Sequence, residues 1–178
     1  MKALHVNWTK PSGNEYFAED FELLTTILSA LKWREKNGNI KMITDKVGFE
    51  FYKSKNMLDI WDEVDVSLDD MPLNINPQMF WAAGKLYAAK TNKEPFAMLD
   101  TDFIVWDRLA FESFGDLAVI HDEEINNDVY PDIHHFDMKY GSKNNGASLL
   151  GSISTKSNSY CVLFKLYISL IFICSPLY

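Results

Sequence analysis

Phe96-Ala97-Met98-Leu99-Asp100-Thr101-Asp102 decides the reading of this chain. Four consecutive apolar residues fit a strand buried on both faces, as the central strands of parallel sheets are. The run stops abruptly on two carboxylates separated by one residue. In an extended segment residues i and i+2 point the same way, so Asp100 and Asp102 are expected to converge on one hard cation. In open α/β sheets ligands bind in the crevice beyond the carboxyl ends of the strands. A cation held there would neutralise a diphosphate and stabilise it as a leaving group. Taken alone, Asp-x-Asp is a weak pattern, and its bland reading is a solvated strand end with turn-forming aspartates.

Upstream, Ala3-Leu4-His5-Val6-Asn7-Trp8 alternates as a first strand, and Pro11-Ser12-Gly13-Asn14 is a loop. Residues 19–36 are expected to form an amphipathic helix with Phe21, Leu24, Ile27, Leu28 and Leu31 on one face and Glu22, Lys32 and Glu35 in water. Asn37-Gly38-Asn39 would end it with a left-handed cap. Ile40 to Asp45 is a second strand ending on a carboxylate, residues 46–56 a second helix, and Glu63 to Ser67 a third strand. Asn76-Pro77 starts a helix that runs to about Ala89, with Phe80, Ala83, Leu86 and Tyr87 on one side. Beyond the aspartates, Phe103 to Trp106 and Leu117 to His121 read as further short strands. This alternation predicts an α/β fold, a Rossmann-like, mainly parallel sheet flanked by helices.

The formal charge of −8 argues against a nucleic-acid partner, because a phosphate backbone attracts basic patches and no Lys/Arg cluster stands out. An acidic protein still binds an anionic nucleotide when a divalent cation mediates the contact. The charge divides unevenly. All 25 acidic residues lie in 1–137, whereas the remaining residues hold four lysines (Lys139, Lys143, Lys156, Lys165) and no acid. Both cysteines, Cys161 and Cys174, fall in that tail, so the body needs no disulfide, which fits a reducing, cytoplasmic compartment.

With these elements in place, Phe80-Trp81-Ala82-Ala83-Gly84-Lys85-Leu86-Tyr87, a short linker and then Phe96 to Val105 resemble the helix-to-DxD unit of GT-A glycosyltransferases. In particular they look like bacterial sugar transferases with a DxD-containing sugar-binding region, as found in capsule and surface-polysaccharide pathways. The resemblance covers roughly residues 1–125 and also takes in the first strand, Leu31-Lys32-Trp33-Arg34 and the Ile40 to Asp45 strand. It implies a GT-A-like nucleotide-sugar-binding domain over 1–140. It implies that Asp102 ligates Mn²⁺ or Mg²⁺ bridging two phosphates, and that Asp100 contacts the ribose or donor sugar, or the metal through water. Asn7 and Trp8 would sit near the nucleotide, and Asp45 would accept a hydrogen bond from the base or ribose. Lys85 lies where some relatives place a basic contact to the donor. The implied partners are a nucleotide-sugar donor, a UDP-sugar in the first instance, and a glycan or other hydroxyl acceptor.

His134-His135-x-Asp137 has metal-ligand residue types but reads as a polar loop, and Asp62-Glu63, Asp69-Asp70 and Asp122-Glu123-Glu124 read as solvated acids. Residues 141–178 change character: an Asn/Gly loop, a Ser-rich stretch, then the apolar run Tyr160 to Cys174. At 15 residues with a central Lys165, that run is shorter than the ~20 expected of a membrane span. A C-terminal anchor at the inner face of a membrane is one reading of it. The favoured reading is an atypical, out-of-frame or truncated end that leaves the second, acceptor-side half incomplete. Two alternatives to a complete transferase follow: a catalytically inactive GT-A-like binding protein, and a haloacid-dehalogenase-type phosphatase with the first Asp as nucleophile.

Overall fold

Strand β1 (Lys2–Asn7) is hydrogen-bonded on both sides, to β2 (Ile40–Thr44) and to β4 (Phe96–Leu99), and all three run parallel. The computed structural model describes residues 1–13, 15–113, 117–118 and 172–174. Strand β3 (Glu63–Asp65) pairs in parallel with the outer side of β2. The order β3-β2-β1-β4 therefore grows outward from β1 in one direction and then returns to its other side. Beyond β4 the sheet is extended by β6 (Phe172–Cys174), antiparallel to β4, and by β5 (Leu117–Ala118), antiparallel to β6. The α/β, Rossmann-like, mainly parallel sheet expected from the sequence is the observed fold. Residues 172–174, part of the stretch read as an atypical tail, belong to this sheet. The chain divides into two units, Met1–His121 with Leu166–Tyr178, and Asp122–Lys165. The second unit lies outside the described residues, as do His134, His135, Asp137 and the Asp122-Glu123-Glu124 acids.

Both faces of β1 are covered, so Ala3, Leu4, His5 and Val6 are all buried. On one face, Ala3, Ile40, Met42, Ala97 and Leu99 pack against Trp33 of α1 (Asp20–Lys36), Tyr52 of α2 (Lys46–Ser54) and Trp61. On the other, Leu4, Val6, Trp8, Ile43, Phe96 and Met98 pack against Leu68, Met71 and Ala88 of α3 (Ala83–Thr91). Helix α1 opens where the Glu22 carboxylate accepts the Glu19 N–H at 2.8 Å, and it ends at Gly38 with φ +108°, the left-handed stop foreseen at Asn37-Gly38-Asn39.

Three expectations are corrected. The buried face of α1 is Leu23, Thr26, Ser29, Ala30 and Trp33, whereas Phe21, Leu24 and Leu31 are 75%, 63% and 46% exposed. The small residues win because they let the helix approach the sheet closely enough for Ser29 to reach His5 at 3.0 Å. The helix expected from Asn76 begins only at Ala83. Asn76 does cap one turn, its Oδ1 accepting the Gln78 and Met79 N–H groups. The place beside Trp8, however, admits only a residue without a side chain, and the first small run after Pro77 is Ala82-Ala83-Gly84. Phe103 to Trp106 is not a strand. The Phe103 N–H turns back to the Asp100 carbonyl at 3.0 Å, and the segment beyond is held by Asn37, which donates to the Asp107 carbonyl and accepts the Leu109 N–H.

Candidate functional site

The strand order reverses between β1 and β4, so the crevice beyond their carboxyl ends is the topological switch point, where open α/β sheets bind ligands. Parallel pairing brings His5 level with Leu99. The residues that follow, Asn7 and Trp8 on one strand and Asp100 on the other, therefore border the same opening. Strand alternation puts Trp8 with Leu4 and Val6, and Asp100 with Phe96 and Met98, on the face covered by α3.

Helix α3 ties these two together. Lys85 Nζ is hydrogen-bonded and ion-paired to Asp100 Oδ1, with the two side chains 24% and 16% exposed, a pair substantially withdrawn from solvent. The neighbouring Gly84 lies on Trp8. A Cβ placed at residue 84 would stand 2.7 Å from Trp8 Cβ and 3.3 Å from Cγ, contacts that only a shift of helix against strand can relieve. Gly84→Ala is accordingly expected to destabilise the protein by about 1–2 kcal/mol, overpacking outweighing the helix-propensity gain of alanine. Urea denaturation measures this, and a neutral or stabilising result would show that α3 is not seated by this contact.

Trp8 is 8% exposed and its indole N–H has no acceptor among the described residues. A buried donor left without a partner costs about 1–3 kcal/mol and calls for an explanation at a site. Asn7 faces the other side of the sheet, where its Nδ2 donates to Tyr52 Oη at 2.8 Å and its carbonyl accepts from Thr44 Oγ1 at 2.7 Å. Burial pushes the Tyr52 hydroxyl well above its ordinary range, so it serves as a neutral hydrogen-bonding group, 3.4 Å from Tyr16 Oη.

Asp45 is at a strand end, as expected, but its carboxylate turns inward. It is 1% exposed, accepts the Thr9 N–H at 2.8 Å and the Thr9 hydroxyl at 2.9 Å, and caps α2 by accepting the Gly48 N–H at 2.9 Å. Its oxygens are thus engaged by the protein itself rather than turned toward a base or ribose. The signal for this was local, an acid three residues before Gly48, but Thr9 is 36 residues away and could not be paired with it by pattern.

The Asp100-Thr101-Asp102 segment is a turn and not an extended strand end, so the alternation that would converge the two carboxylates stops at Asp100. Asp100 is directed to Lys85, and Asp102 is exposed. No group of three His, Cys, Asp or Glu side chains among the described residues is arranged to hold a metal ion. The available oxygens are those of Asp102 and the second oxygen of Asp100. That set suits only a cation such as Mg²⁺ that keeps its waters and takes most of its remaining ligands from substrate phosphates. No helix among the described residues is long and apolar enough to cross a membrane.

Fold and site together define a Rossmann-like α/β protein with, at the switch point of its sheet, a basic-acidic pair and an indole N–H that has no acceptor among the described residues. Residues 1–145 match the model of a family of unknown function, DUF6734, and the chain belongs to that family. No curated protein and no solved structure matches it.

Proposed function

We propose that the crevice beyond β1 and β4 binds the diphosphate of a nucleoside-diphosphate sugar, and that the protein is a metal-dependent glycosyltransferase or the donor-binding half of one. The observation that carries this reading is the Lys85–Asp100 pair at the carboxyl end of β4, on the same sheet face as Trp8. Lys85 supplies a fixed positive charge where a phosphate would lie, and the Trp8 N–H supplies a donor in search of an oxygen acceptor. Asp102, exposed on the turn, and Asp100 would hold Mn²⁺ or Mg²⁺ together with the phosphates. When bound, the cation offsets charge on the departing diphosphate. The sugar would pass to an acceptor hydroxyl.

Calorimetric titration with uridine diphosphate in the presence of Mn²⁺ tests the reading. We expect wild-type binding, weakened by roughly 10-fold or more in Asp102→Ala, in keeping with loss of a charged ligand to the complex. Absence of binding by the wild-type protein with either cation would sink the donor-site reading and favour a protein that keeps the fold without the ligand. Turnover of a phosphomonoester would point to a phosphatase instead.

A further inference from the structure

One buried polar chain lies apart from the groups considered for the ligand. His5, in the middle of β1, and Ser29, in the middle of α1, are both fully buried. Trp61 Nε1 lies 3.1 Å from His5 Nδ1, His5 Nε2 lies 3.0 Å from Ser29 Oγ, and Ser29 Oγ lies 2.5 Å from the Phe103 carbonyl. The donor inventory dictates the direction of every proton. An indole N–H only donates, so His5 Nδ1 is the acceptor; the neutral ring then carries its proton on Nε2 and donates it to Ser29 Oγ. The hydroxyl of Ser29 has one proton, and the acceptor it meets among the described residues is the Phe103 carbonyl. Phe103 is also the residue whose N–H closes the turn from Asp100.

We propose that the Trp61–His5–Ser29 chain is a positioning device for the Asp100–Phe103 turn, fixing the Ser29 proton on the Phe103 carbonyl and so anchoring the segment that presents Asp102. Trp61 acts at a distance in this scheme. It locks the His5 tautomer, the tautomer keeps His5 Nε2 from accepting, and Ser29 is left to hold the turn. If the indole N–H is removed, the ring proton is free to move to Nδ1. Ser29 can then donate to His5 and release Phe103. The consequence for ligand binding rests on the donor-site reading above; the hold on the turn does not.

Hydrogen exchange of the ligand-free protein, read on peptides covering 100–106 with 40–44 as reference for global opening, tests the device. Ser29→Ala is expected to speed exchange in 100–106 by ~5–10-fold relative to the reference, the equivalent of one lost hydrogen bond. Trp61→Phe, which keeps an aromatic ring in the core cluster it shares with Phe103 and Val105 but removes the indole N–H, is expected to speed it as well. In the doubly substituted protein the increase should not exceed that of Ser29→Ala alone, because both changes break one chain. Unchanged exchange in Ser29→Ala, or effects of the two substitutions that multiply, would overturn the proposal. Titration of the same proteins with uridine diphosphate and Mn²⁺ reports on the donor site separately. A wild-type protein that fails to bind would remove the donor reading while the exchange data still decide whether the turn is held.

Discussion

Replacing Asp45 by alanine is expected to destabilise the protein by about 3–5 kcal/mol, the summed cost of its lost hydrogen bonds and of the buried donors left without an acceptor. The carboxylate is buried at the end of β2 and gathers three donors from two other parts of the chain: the N–H and hydroxyl of Thr9, just past β1, and the N–H of Gly48 in the first turn of α2. Alanine would leave the Thr9 N–H without its acceptor in a residue 3% exposed, and it would remove the cap of α2, a loss of about 1 kcal/mol in itself. Asp45→Asn separates the contributions. Its amide oxygen can still cap Gly48, but its NH₂ would confront the Thr9 N–H, so a cost of about half is expected. Urea denaturation monitored by tryptophan fluorescence gives both numbers. A loss under about 1 kcal/mol for Asp45→Ala would mean that the carboxylate is not the clip joining β1, β2 and α2.

Much of the sheet could be read in the sequence because each central strand is a short, mostly apolar stretch followed by a polar residue. Ala3 to Val6 and Phe96 to Leu99 are buried on both faces, and in β2 only Lys41, paired to Glu63 and Asp65, departs from this, so their pattern needs little knowledge of neighbours. Helix α1 shows where such reading stops. Its sequence carries two apolar stripes, and the bulkier one, Phe21 with Leu24 and Leu31, is the exposed one. What selects the other stripe is a contact 24 residues away in sequence, His5 with Ser29, and the small residues that permit it. The site divides in the same way. Asp100 at the end of β4 was legible from the strand it terminates. A turn at Asp100-Thr101-Asp102 was the bland reading of that tripeptide, but the contacts that hold the segment were not legible, because they come from outside it, from Ser29 on the Phe103 carbonyl and from Asn37 on Asp107 and Leu109. His5 passed as one more strand residue, since a buried histidine inside an apolar run leaves no periodic mark.

That histidine also sets an acid limit. Burial lowers the His5 pKa from 6.5 to about 3. Between those two values the unfolded chain binds a proton at this residue and the folded protein does not, so stability rises with pH across the window. The contribution is fully present above pH 6.5, the unfolded value, and drains away as pH falls from there toward about 3, by about 1.4 kcal/mol per pH unit. Geometry gives the same sign: a protonated ring carries N–H on both nitrogens, and its Nδ1 would then face the Trp61 indole N–H, donor against donor, at 3.1 Å. Moving from pH 7 to pH 5 should therefore cost about 2 kcal/mol through His5 alone. Glu63, held below the ordinary 4.5 by its hydrogen bond to Lys41, begins to withdraw stability only as pH falls through that unfolded value. The chain's remaining histidines, His121, His134 and His135, are separated out by substitution. His5→Gln places a non-titrating amide at the same point, and although less stable at pH 7 it should lose about 2 kcal/mol less than wild type between pH 7 and pH 5. Guanidinium or urea titrations of the two proteins at the two pH values decide the matter. Parallel losses in both would assign the acid sensitivity to another residue and would mean that His5 is not held neutral between Trp61 and Ser29.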